Sequence, residues 1–196
     1  VSLSFKRPGY APGDATAEQM DAVADLADRY SFGELRVSHE QNLILADVRQ
    51  ADLHALWQEA KKYGLASANI GLITNIVCCP GGDFCSLANA KSIPIAEAIQ
   101  RRFDDFERLR NIGDLTLNIS GCMNACGHHH VGNIGILGVD KKGEEFYQIV
   151  LGGSANRDAA IGKVLGPSFA QDEIPDVIEK LVDVYLEQRQ PDEKFI

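Results

Sequence analysis

All five cysteines of this 196-residue chain, Cys78, Cys79, Cys85, Cys122 and Cys126, lie between positions 78 and 126. Any fold the chain adopts has to serve that clustering. The odd count, with no apolar leader in the opening VSLSFKRPGY, argues against a disulfide framework and leads us to expect a cytoplasmic setting. Four of the thiols form two pairs, in CPGGDFC at 79–85 and CMNAC at 122–126, the second bracketed by Gly121 and Gly127. Thiolate is a metal ligand, and three readings suit the pattern. A 4Fe–4S core takes four thiolates and is tuned by backbone hydrogen bonds, which glycine-rich segments bring close. Structural zinc prefers knuckles with fewer intervening residues than the five between Cys79 and Cys85. Buried thiols without a ligand are the third reading.

Around these pairs the pattern is mixed. LSFKR at 3–7 alternates like a strand, and TAEQMDAVADLADRY at 16–30 opens with a capping box, Thr16 with Gln19, before apolar residues at helical spacing. Residues 33–48 read as two strands about a polar turn, and 51–64 as a helix with Leu53, Leu56, Trp57 and Ala60 on one face. This order is most of a ferredoxin-like βαββαβ unit. We therefore expect a ferredoxin-like half-domain at 1–70 and a second, mixed α/β domain at 71–196, an α+β chain. In the second, 73–77 and 115–120 read as strands, 86–106 as a helix with a kink or restart at Pro94, the segments about 141–143 as a hairpin, and 172–189 as a closing helix.

The ordered set CPGGDFC (79–85), SGCMNACG (120–127) and the glycine-bearing strand at 132–138 resembles the sirohaem-containing sulfite and nitrite reductases. The similarity reaches back into SHEQNLILADV and forward to QIVLGG and the last helix, nearly the whole chain. The combination of both cysteine motifs is specific, as neither is alone. The resemblance implies that Cys79, Cys85, Cys122 and Cys126 bind a 4Fe–4S cluster, and that Cys126 also bridges to the iron of sirohaem. It implies that Asn124, Gln41, Asn42 and His128 approach the sirohaem. The implied reaction is the six-electron, assimilatory reduction of sulfite to sulfide, with nitrite to ammonia as the close alternative. Members of this family have two pseudo-symmetric halves, and the chain resembles the C-terminal one. Its implied partners are the N-terminal half of the same enzyme, an electron donor (ferredoxin or a flavoprotein reductase) and sulfite or nitrite. The basic residues that grip substrate belong mainly to the other half, so this segment alone is expected to be inactive. The competing class is a non-catalytic four-cysteine module, holding zinc or acting as an iron–sulfur carrier.

Net charge of −9 argues against a nucleic-acid surface, and no apolar run is long enough for a membrane span. Cys78 reads as a small buried hydrophobe and Trp57 as core. His128, His129 and His130 form a polar loop open to cofactor contact or proton delivery. GNIGILG at 132–138 reads as close backbone packing rather than a nucleotide loop, and the charged run 101–110 as a solvated helical face.

Overall fold

The structure, a computed structural model, describes residues 1–191 and 193–196. Its first unit runs β1 (Ser2–Leu3), α1 (Ala17–Tyr30), β2 (Leu35–Val37), β3 (Leu43–Leu45) and α2 (Leu53–Lys62). The three strands form an antiparallel sheet in the order β1-β3-β2. The capping box closes as the sequence requires: the Gln19 N–H donates to Thr16 Oγ1 at 3.1 Å and the Thr16 N–H to Gln19 Oε1 at 3.0 Å. Helix α1 buries Val23 and Leu26, and α2 buries Leu56 and Ala60, against Leu3, Phe5, Leu45 and Leu65. In place of the sixth element of the ferredoxin-like pattern, Leu65 O accepts from Ser4 N at 3.2 Å and the Asn69 side chain bonds Ser4 Oγ and Lys6 O.

Two expectations for this unit need correction. Only Ser2 and Leu3 of the first extended stretch pair as a strand, because the prolines and glycines after Arg7 turn the chain away. Trp57 is 44% exposed and Leu53 43%, so the helix turns Leu56 and Ala60 inward instead, while those two border a hollow with Val1 and Ile70.

The second unit contains β4 (Val77–Cys78), α3 (Ile93–Arg102), α4 (Phe106–Ile112), β5 (Leu117–Ser120), β6 (Ile134–Lys141), β7 (Glu144–Leu151), β8 (Lys163–Val164) and α5 (Ile174–Gln188). The five strands lie in sequence order; β4, β5 and β6 are parallel, and β6, β7 and β8 antiparallel. Strands β6 and β7 form the anticipated hairpin, with Lys142 and Gly143 both at positive φ as a type I′ turn requires. One face of the sheet buries Leu117, Ile119, Ile134 and Ile136 under Ile95, Ile99, Phe103, Ile178 and Val182 of the helices. Each such side chain, fully withdrawn from water, contributes roughly 2 kcal/mol.

The helix anticipated over 86–106 starts only at Ile93 and ends at Arg102, with Pro94 in its first turn. Proline is tolerated in a helix's first turn but would break its interior, so the helix begins just before Pro94, and residues 89 and 90 are held elsewhere by bonds to Gly121. The charged run 101–110 is likewise not one solvated face. It breaks at buried Phe103, restarts in α4 on an Asp105 cap, and pairs with α5: Arg102 with Asp176 at 2.7 Å and with Glu179, Arg108 with Glu179 at 2.6 Å and Asp183 at 3.0 Å.

Candidate functional site

Strands β4 and β5 are parallel neighbours, so both leave the same edge of the sheet and deliver the two cysteine pairs side by side. That is where open α/β sheets bind their ligands. The Cys79 N–H donates to Ile119 O at 3.1 Å, and the Gly121 N–H donates to Cys79 Sγ at 3.0 Å, so the first thiol of one loop is bonded to the backbone beside the first thiol of the other. Gly121 O accepts from Asn89 N at 2.9 Å and Ala90 N at 3.0 Å. This approach leaves no room for a side chain: a Cβ at Gly121 would lie 2.6 Å from Ala90 O and 2.8 Å from Gly81 Cα. Behind them Gly138 is as tight, its Cβ position 2.7 Å from Gly121 O, which is the close packing anticipated for 132–138.

The second pair sits in a strained turn. Ala125 and His128 both adopt left-handed backbone, at φ 56° and 53°, which costs a non-glycine residue about 1 kcal/mol or more. The turn is held by Ala125 N–H to Cys122 O at 3.1 Å, His128 N–H to Ala125 O at 2.7 Å and Gly127 N–H to Ser120 Oγ at 3.1 Å. Asn118 Nδ2 donates to Gly127 O at 3.0 Å and His128 O at 3.2 Å. Cys79 and Cys122 are buried, Cys85 half-buried and Cys126 exposed, and none is in a disulfide. Cys78 is buried; desolvation holds its thiol well above the ordinary range, and it donates to Cys79 O at 3.2 Å.

The remaining anticipated residues divide. Asn124 and His128 are exposed at the second turn. His128 lines a cavity of about 350 Å³ between the two units, with His39, Glu40, Asn75 and Asn118. Gln41 and Asn42 belong to the turn between β2 and β3 and do not line it. Asn42 is buried, with Oδ1 accepting from Phe5 N at 3.0 Å and Nδ2 donating to Asn75 Oδ1 at 2.9 Å. Gln41 grips the backbone of Cys78: its Oε1 accepts from Cys78 N at 2.9 Å and its Nε2 donates to Cys78 O at 2.7 Å.

Residues that composition and spacing pass over also appear. Lys6 is fully buried beside Gln41, and Asn118 and Ser120 tie down the second turn. His129 is buried, its Nδ1 without a hydrogen-bond partner among the described residues and its pKa lowered by burial and by His130. A strand's polar inward positions are a signal for Asn118 and Ser120; nothing local in the sequence marks Lys6.

A family model described as the nitrite and sulphite reductase 4Fe–4S domain matches residues 71–195, and one described as the ferredoxin-like half domain of the same reductases matches 7–63. The chain belongs to the nitrite and sulphite reductase family. Among relatives in this family, it is 32% identical over 190 residues to the ferredoxin–nitrite reductase of Synechococcus elongatus, covering 93% of this chain and 36% of that protein. It is 30% identical over 199 residues to sulfite reductase [ferredoxin] 2 of Mycolicibacterium paratuberculosis, covering 95% of this chain and 36% of that one. The Mycobacterium tuberculosis NirA structure superposes with a TM-score of 0.80 over the whole chain and 36% of its own length, at 27% identity. The chain thus spans about a third of the length of these relatives.

The residues present fit the family's 4Fe–4S cluster. Two loops leaving adjacent strand ends carry the four cysteines, with glycine at the close approach of residues 81 and 121 and a backbone N–H donated to Cys79 Sγ. Among the described residues no group of three His, Cys, Asp or Glu side chains is arranged to hold a metal ion. No described helix is long and apolar enough to cross a membrane.

Proposed function

We propose that this chain is the C-terminal half of an assimilatory sulfite reductase haemoprotein, divided near residue 70 into a ferredoxin-like half-domain and a cofactor-binding domain. The observation that carries the reading is the pairing of the two cysteine loops at the ends of β4 and β5, fastened by Gly121 N–H on Cys79 Sγ. Cys79, Cys85, Cys122 and the exposed Cys126 would hold the cluster, and Cys126 would be the one shared with the sirohaem. When bound, the two cofactors would relay the donor's electrons and provide the site at which the anion is reduced. The chain's part is to hold them. Left-handed Ala125 lies between exposed Asn124 and Cys126, Asn124 would contact the macrocycle, and His128, which lines the cavity, would bond a carboxylate or carry a proton. Reduction of sulfite to sulfide consumes six electrons and six protons and releases three waters, so proton-carrying groups near the site are part of the requirement.

Phe84, Leu87 and Met123, on the two cysteine loops, are 80%, 70% and 85% exposed, as suits a surface that the N-terminal half covers. Ferredoxin is the donor in this reading, and the thiolate ligands suit the reducing cytoplasm. Nitrite is the second reading, favoured by the match to a ferredoxin–nitrite reductase at 32% identity. The test is anaerobic reconstitution of the chain with iron and sulfide, then addition of sirohaem. About four iron and four sulfide per chain with a Soret band support the reading; zinc without sulfide overturns it. Turnover by the parent enzyme with sulfite and with nitrite decides the substrate.

A further inference from the structure

Strand β4 is the outer strand of the five-stranded sheet, so one side of it has no neighbouring strand. Cys79 turns its N–H inward, to Ile119 of β5, which leaves the N–H and C=O of Cys78 pointing outward. The Gln41 carboxamide takes both, doing with one side chain what a neighbouring strand does with its backbone. Gln41 is placed for this by a left-handed backbone, φ 59°, and by Gly13 behind it, whose Cβ position lies 2.9 Å from Gln41 Cβ.

An amide can rotate by half a turn, exchanging its donor and acceptor. Lys6 prevents that. Its fully buried ammonium donates to Gln41 Oε1 at 3.1 Å and to Ile76 O at 2.6 Å, so the oxygen end must face Lys6 and the nitrogen end must face Cys78 O. Lys6 is itself fixed, with its N–H on Ser4 Oγ at 3.3 Å and its carbonyl accepting from Asn69 Nδ2 at 2.9 Å. An ammonium withdrawn from water is costly, and the apolar side chain of a methionine fills similar space at less expense. Stability alone therefore does not account for a lysine here.

We propose that Lys6 is a positioning residue of the cluster site: bonded to both Gln41 and Ile76, it locks the clamp on Cys78 and so fixes the strand end that presents Cys79. The proposal deepens the cluster reading and rests on it. The same buried positive charge favours the reduced, more negative state of a cluster nearby.

Lys6→Met tests this at two levels. In the chain without iron, exchange of the Cys78 amide is expected to quicken about tenfold, the worth of one hydrogen bond, while the unfolding midpoint stays level or rises. In the reconstituted chain, iron is expected to be lost to a chelator about tenfold faster, and the cluster's midpoint potential to move to more negative values; Lys6→Arg, which keeps the charge, recovers most of the potential. Unchanged amide exchange together with an unchanged potential overturns the proposal. If Lys6→Met does not fold, Gln41→Met is read at the same amide, and unchanged exchange there overturns it too. If the parent chain takes up no iron, the amide measurement still decides the clamp, and what fails is the cluster reading.

Discussion

Cys78 and Cys79 are adjacent, and spacing alone cannot say which is a ligand. The structure separates them by environment: the Cys78 thiol is sealed in the core and kept protonated by desolvation, while Cys79 Sγ accepts a backbone N–H from the opposite loop. Cys78→Ser is accordingly expected to retain full iron after reconstitution and Cys79→Ser to lose it, measured as iron and acid-labile sulfide per chain. Lys6 offers a second test at this scale. Burial lowers its pKa from 10.5 to about 8, with Glu40 partly opposing. Below pH 8 the ammonium is charged in both folded and unfolded chains, and folding bears its desolvation. Between pH 8 and 10.5 the unfolded chain holds a proton that the folded one does not, so this group makes stability rise with pH, by about 3 kcal/mol across the window. Lys6→Met is expected to lack that rise when urea unfolding is compared at pH 7.5 and pH 9.5. The two cysteine pairs stand out in the sequence by type and spacing, and the resemblance singles out Cys79, Cys85, Cys122 and Cys126 as the proposed ligands. Lys6 does not stand out, since a lysine three residues into an alternating stretch looks like any strand's solvent face, and only the contact with residue 76 reveals otherwise.

Helices α1, α2 and α5 could be read from their period, and the hairpin from its turn, because those signals are local. The stretch 86–106 misled because its apolar spacing was helical while Pro94 and the bonds from Asn89 and Ala90 to Gly121 set the start later. Those bonds come from a segment some thirty residues away, beyond any window of periodicity. Gly121→Ala is expected to destabilise the chain by about 2 kcal/mol or more and to abolish cluster uptake, since its Cβ meets backbone on two sides. The ion pairs of α3 and α4 with α5 act at this level as well. Glu179 serves both Arg102 and Arg108, and Glu179→Gln is expected to cost about 1 kcal/mol, less at high salt, with iron content unchanged. An unaltered urea midpoint at low salt would show those pairs to be energetically idle.

Across the whole molecule, two apolar cores, one from residues 3–66 and one from 72–195, meet at a polar seam made by Ser4, Lys6, Gln41, Asn42, Asn69, Asn75 and Cys78. The α+β architecture was legible from the order of the patterns; the seam was not, because side chains 30 to 70 positions apart make it. Stripping iron from the loaded chain with a chelator is expected to lower the unfolding temperature of the larger core and leave the smaller nearly unmoved, read by residue-level hydrogen exchange on heating. Parallel loss of protection in both would mean one cooperative unit. The seam also bears on synthesis. A bare outer strand is a template for pairing with other copies of the chain, and β4 is covered by a side chain that the ribosome has already released. Residues 6 and 41 precede 77 and 78 in the chain, so both covering side chains are already synthesised when the outer strand emerges. Order of translation thereby becomes protection against misassembly.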